Sequence, residues 1–459
     1  MNTHRLFAFA FVATLLASCG GGGDDNCTNC TPKSANLQGS VSGLLGYRLA
    51  LQNGTTPLKV SLNGAAGNGN GVLFGTSPFN TAYNITVATQ PTNPSQTCVV
   101  ANGSGNTGNA DVTNIAVNCT TNSPRFLYVT NRGAGNVSGF TLNPGTGLLT
   151  AIAGSPFATG SNPVAIAVDP TGSFVYVVNQ LSGNISAFTI DRMTGALVPV
   201  AGSPYGTPAN PSSVAIDPSG SFVFVTSSTA GSVSTYSITS GTGALVAVSG
   251  SQFATGPSPS AVIVDPLAEF AYVANQSNGT FAALSIDPTG LLSSAMGSPF
   301  PAGANPKALA LDPTDHFLYI VNNNANTISA IGGLPVSSTA TVAPIMGSPY
   351  ATGSIPTAVA VGPVTNILYV ANQGSNNVSA FKIASSGGTL SQLAASPFAA
   401  GSQPSAVAID PTGIFAYVAN SGDSSISAYT IDPQSGALTA LAASPFATGL
   451  LPSAIAISN

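Results

Sequence analysis

The stretch Phe126–Asn131, FLYVTN, decides the fold because it returns. Its copies are Phe174–Asn179 (FVYVVN), Phe222–Ser227 (FVFVTS), Phe270–Asn275 (FAYVAN), Phe317–Asn322 (FLYIVN), Ile367–Asn372 (ILYVAN) and Phe415–Asn420 (FAYVAN). The last residues of successive copies stand 48, 48, 48, 47, 50 and 48 positions apart. Seven copies at a near-constant period mean one supersecondary unit, repeated. A unit of this kind cannot bury its apolar face alone, so neighbours stack.

The unit at Pro404–Phe446 shows what is repeated. A short apolar strand, Ala406–Ile409, runs into Asp410-Pro411-Thr412-Gly413, with Asp, Pro and Gly where a type I turn wants them. Phe415–Asn420 is the second strand. A polar loop leads to the third, Ile426–Ile431, and the turn Asp432–Gly436 leads to the fourth, Leu438–Ala442. Four antiparallel strands per repeat, seven times over, predict an all-β, seven-bladed β-propeller at 121–459. The register also predicts how the ring closes. The first repeat lacks a first strand, and Pro452–Ser458, PSAIAIS, is a first strand with nothing after it. The C-terminal strand is therefore expected to complete the blade begun by FLYVTN.

The rest of the chain narrows the function. Only nine Lys and Arg accompany fourteen Asp and Glu, for a net charge of −5. That is no electrostatic footprint for nucleic acid. Apolar residues make up 44% of the chain and recur periodically, which excludes disorder. No metal-ligand cluster, phosphate loop or nucleophile elbow occurs, so no metal or cofactor is implied. The repeated Asp169, Asp217, Asp265, Asp312 and Asp410 each begin a D-P turn, which accounts for them. Glu269 and His316 occupy one slot of that same turn and read as variable turn residues.

Y-V-T-N, spelled out at Tyr128–Asn131, is the namesake of the YVTN-repeat family. With the D-P-x-G turns and the T-G-A-L and S-P-F-x-T-G segments, residues 124–459 resemble the wider lactonase-type seven-bladed propellers. The resemblance implies a ligand face formed by the loops after the second strands and by the links between blades. The candidates there are Asn131, Arg132, Asn179, Asn275, Lys307, Asn322, Asn372 and Asn420. A ring of amides can hydrogen-bond a sugar or a peptide backbone; equally, each Asn can end its strand and satisfy local groups. Arg132 and Lys307 are not repeated, which makes them the more informative pair. The resemblance also brings in lactone hydrolysis, 6-phosphogluconolactonase-like enzymes among its members. No catalytic residue is legible from the sequence. The leading expectation is a binding or scaffolding module for an envelope protein, glycan or small molecule, with a lactonase or a surface adhesion protein as the alternatives.

The N-terminal part speaks of location. Arg5 precedes an apolar core of twelve residues, Leu6–Ala17, ending at Leu16-Ala17-Ser18-Cys19 before a Gly/Asp stretch. That run is short for a bilayer span. It resembles a bacterial lipobox, which implies a signal peptide at 1–18, acylation of Cys19, a flexible tether at 19–36 and an outer-membrane lipoprotein held to the membrane by its lipid. Residues 37–120 lack the repeat period and carry about seven short alternating runs, the pattern of a small Ig-like β-sandwich. Cys98 and Cys119 lie on its last two predicted strands and are expected to form a disulfide.

Overall fold

The computed structural model describes residues 34–46, 48–58, 67–91, 96–121, 126–314, 316–335, 341–363 and 365–458. The signal peptide, Cys19 and the tether up to residue 33 lie outside them. Among the described residues there is no helix long and apolar enough to cross a membrane.

Residues 34–121 form two four-stranded sheets, eight described strands where the sequence suggests seven. The strand Ser34–Ser42 alternates buried and half-exposed residues and pairs in parallel with Val112–Thr121. Leu37, Leu51, Phe74, Ile85 and Val117 close the core between the sheets. Cys98 and Cys119 face each other directly on adjacent strands and are disulfide-bonded. The bond closes a loop of 21 residues, worth about 3 kcal/mol by chain entropy. An Ig-like strand order stays an expectation of the sequence.

Residues 126–458 form seven sheets, one per repeat. In each, an inner strand pairs with the FLYVTN strand, which pairs with a third and then a fourth. The inner strands are Pro163–Val168, Pro211–Ile216, Pro259–Val264, Pro306–Leu311, Pro356–Val361, Pro404–Ile409 and Pro452–Ser458. The seventh closes the ring: Pro452 pairs with Asn131 and Ser458 with Phe126. Numbered from that closing blade as blade 1, the blade containing Pro163 is blade 2, and the one containing Pro306 is blade 5.

The repeated letters are the contacts between blades. The Tyr128 ring is fully buried, worth about 2–3 kcal/mol, and its hydroxyl donates to the Gly195 carbonyl of blade 2 at 2.7 Å. Tyr176 to Gly243, Tyr319 to Gly388, Tyr369 to Gly436 and Tyr417 to Gly147 repeat the bond from blade to blade. Burial raises all five phenol pKa values above the usual one. The same glycine must be glycine. Gly195 has φ +76°, and a Cβ there would stand 2.4 Å from the Phe126 ring. The T-G-A-L glycine is thus the socket into which the Phe and Tyr of the preceding blade fit. The serine of S-P-F works inside the blade instead. Ser155, Ser203, Ser298 and Ser444 each accept a third-strand N–H of their own blade.

Candidate functional site

The ring has two mouths. One is rimmed by the D-P turns. There Asp169 accepts the N–H groups of Ser173 and Phe174, both at 2.6 Å, and Asp410 those of Ile414 and Phe415. The His316 N–H likewise goes to Asp312, at 2.8 Å. These carboxylates are spent on turn geometry. The mouth itself is a cavity of about 430 Å³, walled by the aliphatic ends of the inner strands, such as Val168, Ile216 and Leu311, and by turn prolines. Its lining also includes the turn carboxylates Asp169 and Asp312 and the Ser458 hydroxyl, which has no hydrogen-bond partner among the described residues. The small sandwich meets the propeller on this side, where Arg48 Nη1 donates to the Leu267 carbonyl at 3.0 Å.

The other mouth is rimmed by the second-to-third strand loops and the links between blades. The structure withdraws six of the expected ligand-face residues from it. Asn131, Asn179, Asn275, Asn322, Asn372 and Asn420 are at most 1% exposed. Their amides turn inward: Asn131 donates to Asn136 and Ser138, Asn179 to Asn184 and Ser186, Asn372 to Asn377 and Ser379. Asn322 and Asn420 bind the same third-strand positions, and Asn275 reaches the Thr255 carbonyl. Each is capped by the glycine of the S-P-F-x-T-G segment or its equivalent. A Cβ on Gly449 would stand 2.7 Å from the Asn131 amide. The repeated asparagine locks the strand end to the link.

The residue after each asparagine holds the rim. Its N–H bonds the carbonyl just before the inner-strand proline of its own blade, as in Arg132 to Leu451, Gln180 to Asn162 and Asn323 to Asn305. Arg132 is exposed in this ring. Just inside the rim, the residue after the proline forms a second ring, which the sequence reading missed. Ser212 donates to the Pro259 carbonyl at 2.6 Å, Ser260 to Pro306 at 2.8 Å and Thr357 to Pro404 at 3.1 Å. Ser405 and Ser453 continue it to Pro452 and Pro163. Its sequence signal is the hydroxyl that follows proline in Pro404-Ser405 and its copies. Two blades depart from it. Blade 2 has Val164, and blade 5 has Lys307. In blade 5 the Pro356 carbonyl is reached instead by Asn323 Nδ2, at 2.8 Å.

Lys307 therefore makes no link in the ring, and its side chain is open to the channel. That opening is onto confined space. Desolvation by the surrounding wall is the larger cause that lowers its pKa below the usual lysine value, and the positive charge of Arg132 is the second. Arg132 stands on blade 1 and Lys307 on blade 5, three blades round the ring. The Arg132 charge is near enough to be felt at Lys307. Asp423 is the carboxylate of these loops. It accepts the Ser402 N–H, as Ser182 accepts that of Ser161 and Ser375 that of Ser354, so it serves as a loop lock. Among the described residues no cluster of His, Cys, Asp or Glu suited to a metal occurs.

A closed ring of seven four-stranded blades, with Arg132 and Lys307 on one face and the D-P turns on the other, defines a seven-bladed propeller. The chain belongs to the lactonase family of seven-bladed β-propellers, whose model matches residues 93–209, 202–299, 246–338 and 289–450. Among solved structures, the "putative 6-phosphogluconolactonase" of Bacteroides fragilis is 21% identical with a TM-score of 0.64, covering 74% of this chain and 99% of its own. The periplasmic gluconolactonase of Pseudomonas aeruginosa is 18% identical with a TM-score of 0.62, covering 73% of this chain and 99% of its own. At these identities the likeness concerns the fold. No curated protein matches the sequence.

Proposed function

We propose that this propeller binds and opens a lactone at the mouth shared by Arg132 and Lys307. The observation that carries the reading is that the two non-repeated cations share one face of the ring and act on each other's charge, in a family of lactonases. Ring opening places negative charge on the lactone carbonyl oxygen, and a guanidinium held at the rim stabilises it as it forms. The amide and hydroxyl groups of the rim suit a hydroxylated ring. Three structural neighbours carry gluconolactonase names, so sugar lactones are the first class to try. In a pH-stat assay corrected for spontaneous hydrolysis, the protein turns over gluconolactone or its 6-phosphate. Arg132→Ala lowers kcat/KM by about 10²-fold, the usual worth of an oxyanion donor. No turnover of either lactone overturns the proposal.

A binding module without turnover is the second reading. The observation that favours it is that Asp423, the one carboxylate of these loops among the described residues, is engaged by the Ser402 N–H. Binding of gluconate or gluconolactone with no acid release supports this reading over the first. In either reading we place the protein in the cell envelope as a lipoprotein anchored through Cys19. A Cys19→Ser protein that still partitions wholly with membranes contradicts that placement.

A further inference from the structure

We infer that Lys307 is the general base of this mouth, and that Asn323 is the positioning residue that frees it. The inference rests on the lactonase reading for its substrate and on blade 5 for its geometry. Around the ring the second inner-strand residue is structural: five hydroxyls each tie one blade to the next proline carbonyl. A lysine at that position could donate to the Pro356 carbonyl as they do. Asn323, from the rim of the same blade, takes that carbonyl instead. The blade-to-blade link is kept, and the amine is left over. A replacement whose lost bond is made good by another residue, on the face where the other non-repeated cation stands, marks a site rather than drift. Blade 2 shows the contrast: Val164 drops the hydroxyl and leaves nothing reactive behind.

The chemistry follows from what surrounds the amine. Arg132 and Asp423 are the other charged groups of the loops and links on this face. Desolvation first and the Arg132 charge second disfavour protonation of Lys307, while Asp423 is turned to the Ser402 N–H. A neutral Nζ takes a proton from water as the water oxygen bonds to the lactone carbonyl carbon. Arg132 holds the developing oxyanion. The ring C–O bond then breaks, and the Lys307 ammonium returns the proton to the departing alkoxide, giving the open hydroxy acid.

Three readouts test this. Acetylation of the whole protein by acetic anhydride, followed by mass spectrometry across pH, gives Lys307 a lower labelling midpoint than the exposed Lys382. Thermal unfolding gives a double-mutant cycle. Lys307→Ser restores the hydroxyl of the ring, so Asn323→Ala costs less in that background than in the native protein. For turnover, Lys307→Ser is folded and at least 10²-fold slower, about the least a general base contributes. The kcat/KM of the native protein rises with pH through the Lys307 pKa. In Asn323→Ala the freed carbonyl draws the ammonium, and that limb moves to higher pH, which a purely structural asparagine does not cause. Equal labelling midpoints for Lys307 and Lys382, or an unmoved limb, overturn the inference even where lactones are turned over. A depressed midpoint with no turnover overturns the lactonase reading, and the base role falls with it.

Discussion

Asp265 shows how one residue departs from its copies. In blades 2, 3, 5 and 7 the equivalent carboxylate receives the hydroxyl of Thr171, Ser219, Thr314 or Thr412. Blade 4 has Leu267 there, so Asp265 keeps the Phe270 N–H at 2.7 Å while its second oxygen, fully buried, has no partner. Burial, the largest cause, pushes its pKa from 3.8 up to about 6. The folded state therefore binds this proton more tightly than the unfolded one. The stability it contributes is complete below pH 3.8 and is lost as pH rises through about 6. Leu267→Thr supplies the missing hydroxyl and stabilises the charged form by about 1–2 kcal/mol. Thermal unfolding at pH 5 and pH 7 is expected to show a higher Tm for the variant, with the larger gain at pH 7. Equal gains at both pH values contradict this reading of Asp265.

At the scale of the element, the second strand carries most of what a reader can recover from the letters. Phe126 and Tyr128 are visible as repeats, and their sockets in T-G-A-L are visible too. That one fills the other needs the ring, because Tyr417 and Gly147 are 270 positions apart. Asn131 misleads for a physical reason. A strand end is legible in sequence, but the direction of its amide is not, and the fold turns it inward onto Ser138. Arg132 and Lys307 are legible because they break the repeat. Asn323 is not, since it looks like one more amide of the rim until its bond to Pro356 is seen. The socket also makes graded predictions. Tyr128→Phe loses one buried hydrogen bond and costs about 1–2 kcal/mol. Blade 3 lives with that state naturally, at Phe224. Gly195→Ala costs about 3 kcal/mol, because it adds a left-handed alanine to a clash with Phe126. Urea denaturation of the two variants gives the order, and a milder loss for Gly195→Ala reverses it.

At the scale of the molecule, the ring is closed by a strand that arrives more than 300 residues after its partner. Removing residues 450–459 opens blade 1 and exposes the edge of Phe126–Asn131 to solvent and to other chains. The truncated protein unfolds at lower temperature and over a broader range in calorimetry. An unchanged transition contradicts closure by this strand. The closed ring leaves two mouths of different character. The turn-side mouth offers room, with about 430 Å³ inside a wall of aliphatic residues, prolines and the turn carboxylates Asp169 and Asp312. The loop-side mouth carries the two non-repeated cations, Arg132 and Lys307, whose charges act on one another. A crystal structure of the protein soaked with gluconate, the product of gluconolactone hydrolysis, tests the choice between them most directly. The expected result is gluconate at the loop-side mouth, its carboxylate within hydrogen-bond distance of Arg132 and Lys307. Gluconate seated only in the proline-lined mouth on the opposite face would contradict it.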